Sequence, residues 1–393
     1  MTAPKPLLNE RLRPFGTTIF SEMSRLAGEH SAINLSQGFP DFDGPPEIID
    51  AAIDAMRGGD NQYSRSLGHP RLVQAVAEML ARRYDLLIDP MTEVGVTCGA
   101  TEGIAAALLG MLNPGDEVIV FEPFYDSYLG CLAMAGATPK IYTLRFPDFA
   151  VDADRLAALF TDRTRLLILN TPHNPTGKVF SRSELELIAQ LCDKHNVTVL
   201  SDEVYEFLTF DDAEHIPFAS LPGMRDRTLT LSSNSKTFSY TGWKIGWCYG
   251  PAALVAASQA AHQFLTFCAA TPLQVAVAAG LEVFAASGDY LDTFRSEYQE
   301  RRDLVVAALT AAGFDVATPQ GTYFVLAAFD KLWDGDDRSF AYHLTKTVGV
   351  TPVPPSVFYR NEVADGARLL RFAFCKQLPT LQSAATKLAA LAP

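Results

Sequence analysis

From about residue 93 the chain alternates between two textures, and this alternation constrains its fold more than any other feature. Short β-type runs fall at 94–97, 117–121, 165–170, 197–201, 228–232 and 243–249, with a helical stretch at 102–112 between the first two. Ser181-Arg182-Ser183-Glu184 has the form of a capping box, a serine hydroxyl and a glutamate satisfying each other's backbone donors, and opens a helix expected to run to about His195. Strands alternating with helices imply an α/β layer structure whose central sheet is mostly parallel and flanked by helices.

The ends of the chain read differently. A long polar helix at 290–309 is followed by short strands around 321–327 and 368–374, an α+β texture, while residues 17–26 look helical and 34–46 extended. The expected division is a large domain at 46–288 and a smaller α+β domain built from 1–45 and 289–393. No repeat and no Ser/Gly or charge-rich linker breaks the chain into independent modules.

Charge and composition narrow the partners. The 393 residues are 48% hydrophobic and 20% charged, a globular balance, and 32 basic residues against 45 acidic ones give a net charge of −13 without any basic run. Nucleic acid and anionic membranes are therefore not expected as partners. Apolar stretches such as 103–112 fall short of the ~20 residues of a bilayer span, and the amino terminus lacks the apolar core of a signal peptide, so a cytoplasmic location is expected. The six cysteines form no CxxC pair and read as reduced core thiols; without HExxH or zinc-type spacing, no metal is expected.

In open α/β sheets ligands bind beyond the carboxyl ends of the strands, which directs attention to four loops. Cys98-Gly99-Ala100-Thr101 is a strand-to-helix turn of small residues, suited either to packing or to an anion at a helix start. Asn170-Thr171-Pro172-His173-Asn174-Pro175 is a rigid excursion that forms a turn or aims Asn174 inward. Ser201-Asp202-Glu203-Val204-Tyr205 carries acids out of an apolar strand, and a carboxylate buried there requires a cation or a donor. The fourth loop, Ser233-Asn234-Ser235-Lys236, places one lysine among hydroxyls and aromatics, with Lys244 at the next strand start. With Arg371 in an apolar strand, the set comprises an amine, a carboxylate, a phenol, an amide, an anion cup and a guanidinium, which is what pyridoxal phosphate chemistry asks of a protein.

The segments NTPHNPTGK, SDEVYE, SSNSKTFSYTGWKIGW and LLRFAFCK resemble the fold-type I, class I aminotransferases, from about Phe15 to the end. INLSQGFPDFDGPP, NQYSRSLGHP, EPFYDSY and HQFLTFCAATPLQ make the chain most similar to the kynurenine, glutamine-phenylpyruvate and methionine aminotransferase branch. The resemblance implies a fold-type I large domain with pyridoxal 5'-phosphate as cofactor. It assigns Lys236 the covalent attachment of the cofactor and the proton transfer at the substrate Cα, Asp202 the ring nitrogen, and Tyr205 and Asn174 the ring oxygen. Gly99, Ala100, Thr101, Ser233 and Lys244 would hold the phosphate, joined by Tyr63 from a neighbouring subunit of a homodimer, and Tyr125 would cover the ring face.

By the same resemblance Arg371 would clamp the substrate carboxylate, while Asn174, Phe20, Ser36, Gly38 and Phe267 would border the amino acid. Phe20 stands where the branch carries tryptophan, Ser36 where glycine is common, and Tyr125 where Phe is frequent. With no second cation for a side-chain carboxylate, the expected substrates are uncharged aromatic or sulfur-containing L-amino acids such as kynurenine, glutamine, methionine or phenylalanine, paired with 2-oxo acids. The alternatives are a cysteine-S-conjugate β-lyase, an N-succinyldiaminopimelate aminotransferase and, outside enzymes, a cofactor-binding sensor domain.

Overall fold

The computed structural model describes residues 7–16, 18–285 and 288–391. Residues 1–6, 17, 286, 287, 392 and 393, which belong to the expected domain ranges and, for 17, to the first expected helix, lie outside the described residues. The strands in chain order are β1 (Ile33–Asn34), β2 (Val94–Thr97), β3 (Glu117–Glu122), β4 (Thr138–Thr143), β5 (Thr164–Asn170), β6 (Thr198–Asp202), β7 (Thr228–Ser233), β8 (Gly246–Tyr249), β9 (Asp315–Ala317), β10 (Phe324–Ala328), β11 (Val350–Thr351) and β12 (Leu369–Ala373).

Seven of these form the central sheet in the order β2-β8-β7-β6-β5-β3-β4. All neighbouring pairs are parallel except those of β8, which runs antiparallel to both β2 and β7. The middle strands are buried on both faces, as Val118, Ile119, Val120, Leu167, Val199 and Leu200 illustrate. Burying each such side chain contributes about 1.5–3 kcal/mol, which explains why these strands read as unbroken apolar runs.

Two local differences from the sequence expectation have physical causes. The helix expected from 102 begins at Gly99, because Glu102 reaches back to accept the Cys98 N–H at 3.0 Å and satisfies a free donor of the first turn. The strand expected from 243 begins at Gly246, since Thr241–Trp243 is a 3-10 turn and Lys244 has a left-handed φ of +54°. The capping box holds as expected, and its helix spans Arg182–Lys194.

A second, antiparallel sheet has the order β12-β10-β9. Helices Gly288–Ala311 and Leu378–Leu388 pack on it through Tyr298, Val305, Leu309, Leu381 and Leu388, and Ile19, Met23 and Leu26 of the helix Ile19–Glu29 join the same core. The amino-terminal segment is stitched to the carboxy-terminal part by β1, which pairs in parallel with β11, and by the Ala373 N–H donating to the Leu35 carbonyl at 2.8 Å. This stitch brings residues 36–39 over the carboxyl ends of β5, β6 and β7. No helix among the described residues is long and apolar enough to cross a membrane.

Candidate active site

Parallel pairing sets the site. Asn170 ends β5 and Asp202 ends β6, and the two are register partners, with Asn170 Nδ2 donating to the Asp202 carbonyl at 2.8 Å. Asn170 Oδ1 in turn accepts the Asn174 N–H at 2.7 Å, so one amide side chain anchors both the strand end and the loop that carries Asn174. On the other side of β6, Ser233 ends β7 and caps the short helix Asn234–Thr237, accepting the Ser235 N–H at 3.1 Å. Lys236 lies within that helix.

These elements enclose a cavity of about 300 Å³ whose lining includes Lys236, Asp202, Tyr205, Asn174, Arg371 and Tyr125. Phe20, Gly38, Ala100, Thr101, Ser233 and Lys244 line it as well. Gly99 stands just behind: with φ of +74°, a Cβ there would lie 2.9 Å from Lys244 Nζ. The absence of a side chain lets the cation approach the helix start.

Electrostatics separates the three charged groups at the centre. Burial raises the Asp202 carboxyl to about 6, against hydrogen bonds from Tyr128 Oη (2.6 Å) and the Val204 N–H (3.4 Å) and the nearby Lys236, which favour its ionised form. Burial lowers the Lys236 amine to about 8, with Lys244 and Arg371 pushing the same way and Asp202 opposing. Lysine so shifted is neutral in a usable fraction near neutral pH, as a nucleophile or base must be. Its Nζ donates to Tyr323 Oη at 2.7 Å.

Arg371 is only 1% exposed. Its Nη1 donates to Asn174 Oδ1 at 3.2 Å and its Nη2 to the Ser36 carbonyl at 2.9 Å, while its Nε has no hydrogen-bond partner. The guanidinium lies 4.0 Å from the Phe324 ring centroid and 5.1 Å from those of Phe20 and Phe358. Burial lowers its pKa to about 10, which leaves it charged at neutral pH. A planar, charged fork with a free buried donor suits a carboxylate.

Three sequence-derived candidates sit elsewhere. The Ser36 side chain turns away to Asn34 Oδ1 (2.6 Å), so only its carbonyl reaches Arg371. Phe267 does not line the cavity of its own chain; it meets the 83% exposed Tyr63 edge-on at 5.3 Å on the surface. Sequence reasoning misses Tyr128, Tyr323, Ser235, Thr241, Gln37, Phe39 and Phe324. For Tyr128 the spacing of aromatics in EPFYDSY is a usable signal; Tyr323, 87 positions from Lys236, has no local one.

The family model for aminotransferase class I and II matches residues 30–388. Over 97% of this chain and 98% of the relative, the sequence is 46% identical to a probable N-succinyldiaminopimelate aminotransferase of Mycobacterium tuberculosis. It is 43% identical to a kynurenine–oxoglutarate transaminase of Dictyostelium discoideum, over 94% of this chain and 93% of that one. The solved structure of the Escherichia coli protein YbdL, described as having a methionine aminotransferase function, superposes with a TM-score of 0.94 at 39% identity, covering 98% of this chain and 100% of that chain.

Proposed function

The chain belongs to the class I and II aminotransferases, and on that premise we propose that it moves the amino group between an uncharged aromatic or sulfur-containing L-amino acid and a 2-oxo acid, as a cytoplasmic homodimer. As a member of the family it depends on pyridoxal 5'-phosphate. The cavity side chains fit that group: an amine, a carboxylate ionised at neutral pH, a phenol with an amide, and a small-residue helix start backed by Lys244. When bound, the cofactor supplies a carbonyl that carries the amino group and a ring that accepts the electrons released at Cα.

The protein's own groups then divide the work. Ala100, Thr101, Ser233 and Lys244 would hold the phosphate, the first two through backbone N–H groups at a helix start. Tyr125 would cover the ring, and Tyr205 and Asn174 would donate to its oxygen. Asp202, ionised above about 6, would keep a proton on the ring nitrogen. Lys236 Nζ would take the Cα proton and return it, and Arg371 would grip the substrate α-carboxylate.

One observation carries the substrate class. Arg371 presents its unpartnered Nε from within a wall of Phe20, Phe324 and Phe358, and the other cations lining the cavity are Lys236 and Lys244, both already given a role. A panel of amino acids assayed against several 2-oxo acids tests this. Methionine, phenylalanine, glutamine or kynurenine should exceed aspartate and glutamate in kcat/KM by at least about tenfold; preference for an acidic side chain would sink the reading.

A second reading, an N-succinyldiaminopimelate aminotransferase, has its own support. An adjoining cavity of about 810 Å³ shares Thr101, Tyr125 and Lys244 and adds Arg338, which is held 3.1 Å from Glu22. Arg338 could meet a distal carboxylate. Under this reading Arg338→Gln lowers kcat/KM for long dicarboxylic amino acids and leaves methionine unaffected.

The dimer reading rests on an exposed apolar patch. Tyr63, Phe264, Leu265 and Phe267 all stand open to solvent in the single chain, more than scattered surface apolar residues would explain. A second copy would cover them and would bring Tyr63 to the partner's phosphate site.

A further inference from the structure

Tyr323 immediately precedes β10 and is fully buried. Its Oη accepts the Lys236 Nζ–H at 2.7 Å and donates to the Gly38 carbonyl at 2.5 Å. Burial holds the phenol well above its ordinary pKa, so the oxygen keeps its one proton. Because a carbonyl can only accept, that proton points to Gly38 and the lone pairs face the lysine. The polarity of the relay is fixed by chemistry.

The ring cannot easily turn away. It meets Tyr205 edge-on at 5.2 Å and Phe324 at 4.8 Å, and stacks on Tyr298 at 6.1 Å. The residue before it adds a second, independent sign. Thr322 is β-branched yet has a left-handed φ of +65°, a conformation such a side chain rarely adopts. Its N–H is tied to the Leu208 carbonyl at 3.0 Å and its Oγ1 to the Phe324 N–H at 3.2 Å. The fold thus maintains an unfavourable turn whose effect is to deliver Tyr323 between Lys236 and Gly38.

We propose that Tyr323 is a positioning residue for Lys236, fixing the amine for proton transfer at the substrate Cα and coupling its place to the Gly38 segment that borders the amino acid. The proposal rests on Lys236 being the base. Once the amine is free, the phenol oxygen holds it in hydrogen-bond contact in both of its protonation states, and movement of the segment around Gly38 is transmitted to Nζ through one oxygen.

The groups facing the amine are Asp202, Tyr205, Lys244, Arg371, Cys375 and Tyr323. Burial pushes the Cys375 thiol up to about 11, so it is neutral near pH 7. Of these groups Tyr323 alone makes a hydrogen bond to Nζ among the described residues. Removing its oxygen leaves the ammonium form with less compensation for its burial, and the amine then loses its proton at lower pH.

The test uses the full-length protein with Tyr323→Phe, Tyr323→His and Lys236→Ala. In cofactor-free protein, the pH dependence of Lys236 modification by pyridoxal, trapped with borohydride and located by peptide mass, reports the amine directly. For Tyr323→Phe the midpoint should fall by about one pH unit. In loaded enzyme kcat should fall about tenfold with Tm nearly unchanged, and Tyr323→His, whose ring nitrogen can accept the Nζ–H, should restore part of it. If Lys236→Ala keeps its turnover, the assignment of the base itself fails. If Lys236→Ala is inactive while Tyr323→Phe keeps the wild-type kcat, with or without a shifted midpoint, Tyr323 is packing alone and the proposal is overturned.

Discussion

Tyr128 Oη lies 2.6 Å from Asp202 Oδ2, and this one bond opposes the desolvation that drives the carboxyl toward its neutral form. The phenol belongs to the helix Ser127–Ala135 and the acid to the end of β6, so the bond joins two elements 74 positions apart in the chain. Tyr128→Phe should raise the Asp202 pKa above about 6 and move the acid limb of kcat/KM to higher pH, by up to about one unit. A pH–rate profile superposable on wild type would show that Tyr128 does not govern the ionisation.

Asp202→Asn should lower kcat by at least about a hundredfold, because a neutral amide cannot hold a proton on the ring nitrogen. It should also change how stability follows pH in the cofactor-free protein. The folded-state pKa of about 6 exceeds the ordinary value of 3.8, so the folded chain binds more protons between them. That contribution is present below about 3.8 and lost as pH rises through 6. Relative to Asp202→Asn, wild type should therefore lose on the order of 2–3 kcal/mol between pH 4 and pH 7. Denaturant unfolding of both proteins at the two pH values measures it; parallel curves would contradict the shift.

Arg371→Lys should raise KM about tenfold or more for every amino acid tested, since an ammonium lacks the bidentate fork and the α-carboxylate is common to all substrates. A loss confined to particular side chains would mean that Arg371 reads the side chain instead.

Much of the site is legible in the sequence because parallel strands buried on both faces announce themselves. The run at 165–170 differs from β5 by one residue, and the loops that follow such runs contain Asn174, Asp202 and Lys236. Strand β4 is hidden for the opposite reason: it is an edge strand, with Pro139 and the half-exposed Lys140 interrupting its apolar character. The reversal of β8 is invisible because an apolar run carries no direction. Tyr323 escapes detection because the contact with Lys236 exists only once two distant parts of the chain have packed, whereas Tyr63 and Phe267, named from the resemblance, meet each other on the surface of the single chain.

If Tyr63 reaches the partner's site, as proposed, a mixing experiment is decisive. Lys236→Ala and Tyr63→Ala subunits, each inactive alone, should recover up to about a quarter of wild-type activity when combined, because half of the subunits pair across types and one site of each hybrid is intact. The measurement requires Tyr63→Ala homodimers to be severely impaired. Verified heterodimers without activity, or a fully active monomer at dilution, would place the whole site within one chain.

The reversed strand β8 leaves both lysines on one short hairpin, Lys236 and Lys244 lying between β7 and β8. A chain built this way inherits its chemistry as a single block. An insertion between 236 and 244 would shift the proposed reacting amine relative to the proposed phosphate-binding cation, so length changes in that segment disturb both roles at once. The residues that line the cavity from the other side, Phe20, Gln37 and Phe39, arrive from the distant amino-terminal end and can change one at a time. Diversification of appetite, with the reaction held constant, is therefore the easy evolutionary direction for this architecture.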